Sequence, residues 1–224
     1  LLHARGTAVT GLRDATELSR ARRAAAQADV VILALGEQGS RTGEGASRAH
    51  LDLEPAQQEL LEQVVAVGNP VVLVLFNGRP LTLKGAAERL PAILEAWFPG
   101  IEAGPALVRT LFGDHNPSGH LTATFPRAVG QVPLYYNVLN TGRPLPASQR
   151  GQPTLEGDEH RYTSRYIDEV NAPLWSFGHG LSYTTFEYSR LRISPEDVDG
   201  NGTVQVSCNV KNAGLLPGDE VVQL

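Results

Sequence analysis

The segment VVILAL, residues 30–35, is a run of six apolar residues with no polar interruption. A second run of the same kind, VVLVLF, occupies residues 71–76. Continuous apolar runs of this length are typical of strands that are buried on both faces of a parallel sheet. We therefore predict two such strands, at residues 30–35 and 70–76.

Helical patterns precede each of these strands. Asp14 and Glu17 have the spacing of a capping box, which predicts a helix that begins after Asp14. The apolar face of that helix consists of Leu18, Ala21, Ala25 and Ala28. Pro55 suits the first turn of a second helix, and Gly68 is placed to end it. The inner stripe of the second helix consists of Leu60, Leu61, Val64 and Val65.

The same alternation continues to about residue 125. A third strand is predicted at residues 93–98, and a short helix at residues 104–112 that Gly113 closes. Strands separated by helices require crossover connections, which produce a parallel sheet. The fold class predicted for residues 1–125 is therefore α/β, a mainly parallel sheet covered by helices.

The rest of the chain has a different character. Residues 126–182 are rich in Pro, Gly, Tyr and Asn, and we interpret them as a connection that wraps between domains. Residues 183–224 contain segments in which apolar and polar residues alternate, at 191–193, 203–210 and 221–224. This pattern predicts the opening strands of a β-sandwich that is unfinished, because such a fold needs about seven strands. We expect the chain to be the middle or rear of a longer protein.

The composition excludes several classes of function. The apolar fraction is 42% and the net charge is −5 without a basic cluster, so neither a nucleic acid nor an anionic membrane is an expected partner. Apolar runs are far shorter than the roughly 20 residues that cross a bilayer. Cys208 is the single cysteine, and no spacing typical of metal ligands occurs. No cofactor or metal is predicted. The first residues lack a signal-peptide pattern, which says nothing about export.

Glu44 is the first candidate for chemistry. It stands between Gly43 and Gly45, in a polar segment between the first strand and the second helix. Glycines on both sides allow the backbone to bring this carboxyl group close to a ligand. Arg41 and Arg48 flank it and could bind substrate oxygens. The alternative is a solvated acidic loop with a local ion pair to Arg48. Spacing alone favours this second interpretation.

Other motifs are less specific. The glycine-containing segment after residue 35 matches neither GxGxxG nor GxxxxGK[ST], so a nucleotide site is not predicted. Glu37 is either a structural residue at the strand end or a partner of the loop. Trp97 could stack on a sugar ring, although an aromatic residue at a strand end is more often part of the core. No Ser/His/Asp arrangement stands out.

A series of motifs, taken in order, closely resembles glycoside hydrolase family 3, especially its bacterial periplasmic β-glucosidases. The resemblance covers essentially the whole chain. Its most specific segments are NGRP at residues 77–80, FGDHNPSG at 112–119 and FGHGLSYT at 177–184. Further segments that match are GEG at 43–45, SR at 47–48, LDL at 51–53, QQ at 57–58, AWFPG at 96–100 and YTSRY at 162–166. At residue 47 the family often has aspartate where this chain has serine.

The resemblance implies an enzyme of three parts: a TIM-like barrel, an α/β sandwich domain and a fibronectin-III-like domain. This chain would hold the second part and the start of the third. The implied activity is that of a retaining exo-β-glycosidase, in the first place a β-glucosidase. In the family the nucleophile is an aspartate on the barrel, and the general acid/base is a glutamate that matches Glu44. Glu37 is a reserve candidate for that role.

Further implications concern binding and location. Arg41, Arg48 and Trp97 are candidates for contacts to the aglycone side of a β-linked oligosaccharide or glycoside. The barrel of the same enzyme is the implied protein partner, and a homodimer is left open. The implied location is periplasmic or extracellular. The isolated chain is expected to be inactive because the nucleophile is elsewhere. The competing hypothesis is a non-catalytic module that binds carbohydrate or organises a partner domain.

Overall fold

The computed structural model of the chain describes residues 1–152 and 161–224. These residues form two compact units. The first consists of Leu1–Pro99 and Ala123–Phe177, and the second of Gly100–Thr122 and Gly178–Leu224. Part of the predicted connection 126–182, residues 153–160, lies outside the described residues. In the part of the chain that the structure describes, no helix is long and apolar enough to cross a membrane.

The first unit contains a parallel sheet of three strands in the order β1-β2-β3. The strands are β1 (Val31–Gly36), β2 (Val71–Phe76) and β3 (Ala92–Glu95). Val31 lies opposite Val71, and Val72 lies opposite Ala92. The predicted α/β class with a parallel sheet is confirmed.

The burial of β1 differs from the prediction. The central strand β2 is buried or half-buried on both faces, as expected. In β1, by contrast, Leu33 and Leu35 are buried while Ile32 is 47% exposed. Val30 precedes the strand and is also exposed. Since β1 is an edge strand with only one covered face, its apolar side chains alternate between core and surface.

Helices of the first unit are α1 (Ala15–Ala26), α2 (Pro55–Val65) and α3 (Lys84–Ala87), and α1 contacts α2. The Asp14 carboxylate caps α1 by accepting the N–H groups of Thr16 and Glu17 at 2.9 and 3.1 Å. The capping box is only half formed, because the Glu17 side chain pairs with Arg20 instead. Short 3₁₀ turns occur at Gly39–Arg41, Val129–Gln131 and Ala147–Gln149.

The third strand is shorter than predicted. β3 ends at Glu95, whereas the pattern suggested residues 93–98. The reason is the backbone of Trp97, which adopts a φ of 49°, a left-handed conformation that ends a strand. The Trp97 ring then lies 5.9 Å from that of the fully buried Phe125, which lies 5.6 Å from the ring of Trp175. An aromatic cluster thus closes the core beyond β3.

Gln57 is a polar residue in the core, only 2% exposed. Its Oε1 accepts the N–H of Gly36 at 2.8 Å, and its Nε2 donates to the carbonyl of Gly36 at 2.8 Å and to that of Val9 at 2.7 Å. The side chain therefore satisfies backbone groups at the end of β1 that would otherwise be buried without partners. It fixes α2 to the strand end from which Glu37 emerges.

The second unit contains α4 (Ala103–Leu111) and an antiparallel ribbon of β4 (Phe186–Ser194) and β5 (Gln205–Asn212). Phe186 lies opposite Asn212, and the register shifts between Ser189 and Arg192. The prediction of alternating strands is confirmed for this pair. It is wrong for residues 221–224, which form no strand, because none of the described residues pairs with them.

Two of the family-like motifs meet within the second unit. The Asn116 Oδ1 accepts the N–H of Tyr183 at 2.7 Å and the hydroxyl of Ser182 at 2.9 Å. The Asn116 amide also donates to the carbonyl of Pro217 at 3.0 Å. The Tyr183 hydroxyl donates to the carbonyl of Thr110, the residue next to the end of α4. These motifs are thus accounted for by structural hydrogen bonds.

Candidate functional site

The candidate site lies at the carboxyl ends of the parallel strands in the first unit. Glu37 follows β1, the turn 77–80 follows β2, and Trp97 follows β3. In open parallel sheets this edge is where ligands bind, because the loops that leave adjacent strands meet there. We call residues 41–46, which lie between β1 and α2, the Glu44 loop.

Glu37 is a buried carboxylate with two arginine partners. Its side chain is 2% exposed, and its Oε1 accepts Arg48 Nη1 at 2.8 Å. The Nε of Arg79 lies 3.2 Å from the same oxygen. The Oε2 accepts the N–H of Gly78 at 3.2 Å. A charge is buried without a large penalty only when it is paired and hydrogen-bonded in this way. This geometry favours the structural interpretation of Glu37.

Arg41 and Arg48, the two arginines that flank Glu44, are both held by Glu54. Arg41 Nη2 lies 2.9 Å from Glu54 Oε1, and Arg48 Nη2 lies 3.4 Å from the same oxygen. Arg48 also donates to the carbonyl of Asp52 at 3.1 Å and is 12% exposed at its side chain, whereas Arg41 is 45% exposed. Of the two, Arg41 therefore offers more surface to a ligand.

Arg79 is a member of the site that the sequence did not single out. Its Nη2 donates to the carbonyl of Arg41 at 2.7 Å and to that of Ala46 at 2.8 Å. It therefore bonds to both ends of the Glu44 loop. The sequence did contain one indication that Arg79 belongs to the site. Arg79 lies in the NGRP turn, and that turn follows a strand that is adjacent to β1 in the parallel sheet.

Glu44 is exposed at the tip of this loop. The flanking glycines have φ values of 98° at Gly43 and 72° at Gly45, a region that L side chains rarely adopt. The N–H of Ala46 donates to the carbonyl of Gly43 at 3.2 Å and closes the turn. Within residues 1–152 and 161–224 the Glu44 carboxylate has no ion-pair or hydrogen-bond partner, so it is available to a ligand from outside the loop.

Phe98 contacts the same region. A Cβ built on Gly78 would lie 2.9 Å from the Phe98 ring and would overlap the Thr42 side chain, so only glycine fits between them. Phe98 is 48% exposed. An aromatic surface thus lies against the base of the Glu44 loop.

Trp97 is half-buried and is held by Glu95. Its backbone N–H donates to Glu95 Oε1 at 2.9 Å. Burial raises the pKa of Glu95 from 4.5 to about 7, although hydrogen bonds from the Trp97 backbone and the Asn77 side chain act in the opposite direction. Trp97 therefore rests on a carboxyl group that ionises near neutral pH.

We expect Glu95 to make stability depend on pH. Because its pKa is raised in the fold, its protonated form contributes stability that is fully present below pH 4.5 and is lost as the pH rises through about 7. Glu95→Gln removes this dependence. The free energy of unfolding of the variant, relative to the original chain, should thus rise by about 2 kcal/mol between pH 5 and pH 8. Urea unfolding at both pH values measures the change.

Glu88→Gln, at an exposed position, is the control for this measurement and should give no pH-dependent difference. A constant difference between Glu95→Gln and the original chain across the pH range would contradict the role assigned to Glu95.

Among the residues that the structure describes, no group of three or more His, Cys, Asp or Glu side chains is arranged to hold a metal ion. The charged groups of the site are instead two paired carboxylates, Glu37 and Glu54, and the arginines that bind them. The arrangement can present the carboxyl group of Glu44 on a loop whose two ends are anchored.

Comparisons with known proteins agree with the motifs. A periplasmic beta-glucosidase of Salmonella typhimurium is 44% identical over 207 residues, which are 92% of this chain and 26% of the relative. A beta-xylosidase of Formosa agariphila is also 44% identical, over 202 residues, 90% of this chain and 26% of the relative. This chain therefore spans about a quarter of the length of the curated relatives that it matches.

Solved structures give the same result. A crystal structure of a beta-glucosidase from Listeria innocua in complex with glucose superposes with a TM-score of 0.80 at 40% identity, covering 93% of this chain and 28% of that protein. A profile of the family described as "Glycosyl hydrolase family 3 C-terminal domain" matches residues 3–183. The chain belongs to glycosyl hydrolase family 3 and contains its C-terminal domain.

Proposed function

We propose that this chain supplies the general acid/base, Glu44, to the active site of a retaining exo-β-glycosidase whose nucleophile lies on a TIM-like barrel outside the chain. The observation that carries the proposal is an exposed carboxylate at the tip of a loop whose two ends are fixed by Arg79. Such a carboxylate can reach a substrate while the two ends of its loop stay in place.

The chemistry requires two carboxyl groups about 5–5.5 Å apart. In the first step the nucleophile attacks the anomeric carbon, and the protonated Glu44 gives its proton to the leaving oxygen as the glycosidic bond breaks. In the second step the Glu44 carboxylate takes a proton from water, and the water oxygen displaces the nucleophile from the anomeric carbon. Division of the pair between two domains explains why one of the two carboxylates stands on a projecting loop.

The substrate class is a β-linked glycoside, most directly a β-glucoside. The relatives from Salmonella and Listeria are beta-glucosidases, while the similar relative from Formosa is a beta-xylosidase. Arg41 is the arginine better placed to meet the aglycone, because Arg48 is mostly buried in its ion pairs. Trp97 is the aromatic candidate for that side. The Salmonella relative supports a periplasmic or extracellular location.

An activity assay tests the division of the active site. The test proteins are this chain alone and a complete enzyme in which the chain replaces the aligned segment of the Salmonella beta-glucosidase. We expect hydrolysis of phenyl β-glucoside by the complete enzyme and none by the chain alone, since the nucleophile and the sugar-binding barrel are absent from the chain. Release of phenol is measured.

Turnover by the chain alone would contradict the proposal, because a whole site would then lie within these residues. A folded complete enzyme that binds glucose without hydrolysing the glycoside would favour a non-catalytic module that binds carbohydrate or organises the barrel.

A further inference from the structure

We propose that Arg79 is a positioning residue for catalysis: it holds the Glu44 loop in its working geometry, and Glu37 orients it. This inference rests on the proposed role of Glu44 as the general acid/base.

Arg79 makes a pair of hydrogen bonds to the Glu44 loop. A single nitrogen, Nη2, donates to the carbonyls of Arg41 and Ala46 at 2.7 and 2.8 Å. Hydrogen bonds from an ionised donor are about twice as strong as neutral ones. The two carbonyls enclose residues 42–45, so one guanidinium fixes both ends of the segment that carries Glu44.

Among the residues that the structure describes, little else supports the tip of the loop. A Cβ built on either Gly43 or Gly45 would meet no atom within 4 Å, and Glu44 itself is exposed. Within the described part of the chain, one hydrogen bond lies inside this turn, from the N–H of Ala46 to the carbonyl of Gly43. Because the tip has little packing of its own, its position depends on how its ends are held.

Arg79 is itself held by contacts to Asn77 and Glu37. Its backbone carbonyl accepts the Nδ2 of Asn77 at 2.8 Å, and Asn77 is fully buried. Its Nε lies 3.2 Å from Oε1 of Glu37, whose side chain is 2% exposed. Arg79 Nε thus forms an ion pair with the buried carboxylate without hydrogen-bond geometry, whereas Nη2 donates its hydrogen bonds to the loop. The orientation is set from the ends of two adjacent strands.

Lysine cannot reproduce this geometry. It has one compact ammonium group, whereas the guanidinium offers nitrogens at fixed separation on a planar frame. Arg79→Lys therefore keeps the positive charge near Glu37 but cannot serve Glu37 and both loop carbonyls together. A displacement of about 1 Å in a catalytic group can lower a rate about 100-fold.

The kinetic test uses the complete enzyme and two substrates, phenyl β-glucoside and 2,4-dinitrophenyl β-glucoside. Protonation of the leaving oxygen matters for phenol and hardly at all for dinitrophenol. We expect Arg79→Lys to lower kcat/KM for the phenyl glycoside about 10- to 100-fold and to leave that for the dinitrophenyl glycoside within about threefold. Arg89→Lys, at an exposed arginine bonded to the carbonyl of Gly85, is the matched control and should change neither.

A second test uses the 224-residue chain itself and trypsin. Arg48 is 12% exposed at its side chain, and Arg13 is 60% exposed. We expect Arg79→Lys to accelerate cleavage after Arg41 and Arg48, with the rate after Arg13 unchanged as an internal reference. Arg89→Lys should leave all three rates unchanged.

Equal losses of kcat/KM on both glycosides, or an unchanged rate on the phenyl glycoside, would overturn the inference, as would unaltered cleavage after Arg41 and Arg48. A different result would contradict the proposed function. If Glu44→Ala leaves the phenyl glycoside rate unchanged, the acid/base assignment is wrong. If Glu44→Ala shows its expected loss while Arg79→Lys shows none, only the positioning role is wrong.

Discussion

We expect Glu44→Ala to lower kcat/KM of the complete enzyme for phenyl β-glucoside by about 100- to 10,000-fold, the range that a general acid contributes. The loss for 2,4-dinitrophenyl β-glucoside is much smaller, because that leaving group departs without a proton. Its kcat still falls, since the second step has lost the base that activates water. Both constants are obtained from initial rates over a range of substrate concentrations.

An added nucleophile gives an independent check on this prediction. Azide needs no base, so it should attack the glycosyl–enzyme of the Glu44→Ala variant, restore kcat with the dinitrophenyl glycoside and yield β-glucosyl azide. Glu88→Ala, at an exposed glutamate, is the control and should behave as the original chain does. Equal losses on both glycosides and no response to azide would contradict the role of Glu44.

The same kinetic measurements with azide distinguish Glu44 from Glu37, the reserve candidate for the general acid/base. Both oxygens of Glu37 are engaged within the protein, by Arg48 and by the N–H of Gly78. If Glu37 acts through Arg79 and Arg48, its replacement by glutamine releases the loop without removing the proton donor. Azide should then restore little, whereas strong rescue would transfer the acid/base role to Glu37.

Gly36→Ala is expected to lower the free energy of unfolding by more than about 4 kcal/mol, a size that indicates disruption of a main element. Gly36 has a φ of 150°, and a Cβ there would overlap the carbonyl oxygen of Phe76 and lie 2.6 Å from its carbonyl carbon. That oxygen accepts the N–H of Glu37 at 2.7 Å. The methyl group would therefore push apart β1 and β2 where the site begins.

Urea unfolding of the 224-residue chain measures this effect. Gly68→Ala is the matched control, because Gly68 also has a positive φ, 92°, but a Cβ there meets nothing within 4 Å. It should cost only the backbone strain, about 1–2 kcal/mol. A similar loss in both variants would show that the crowding at Gly36 has no energetic consequence.

The sequence was sufficient for the parallel sheet because apolar runs and helix-capping residues are local signals. It was less reliable at strand ends. The left-handed backbone of Trp97 and the single covered face of β1 both depend on packing that no local pattern records. The strand expected at residues 221–224 shows the same limit, since a strand exists only when another pairs with it.

In the candidate site, the glycines around Glu44 allowed a carboxyl group brought close to a ligand, while their spacing alone favoured a solvated loop with an ion pair to Arg48. In the described residues Glu44 is exposed, and Arg48 pairs with Glu37 and Glu54 instead. The role of Arg79 could not be obtained in this way, because it binds carbonyls 38 and 33 residues earlier in the chain. The raised pKa of Glu95 likewise comes from burial in the folded protein, which the residues next to it in sequence do not reveal. Long-range ion pairs and desolvation are properties of the assembled edge of the sheet.

The two anchoring carbonyls belong to Arg41 and Ala46, outside the four residues between them. We therefore expect that residues can be inserted or deleted within 43–45 while the sheet, the buried ion pairs and the anchors stay as they are. The distance to which the Glu44 carboxylate extends from the sheet can then change while the stability of the fold does not.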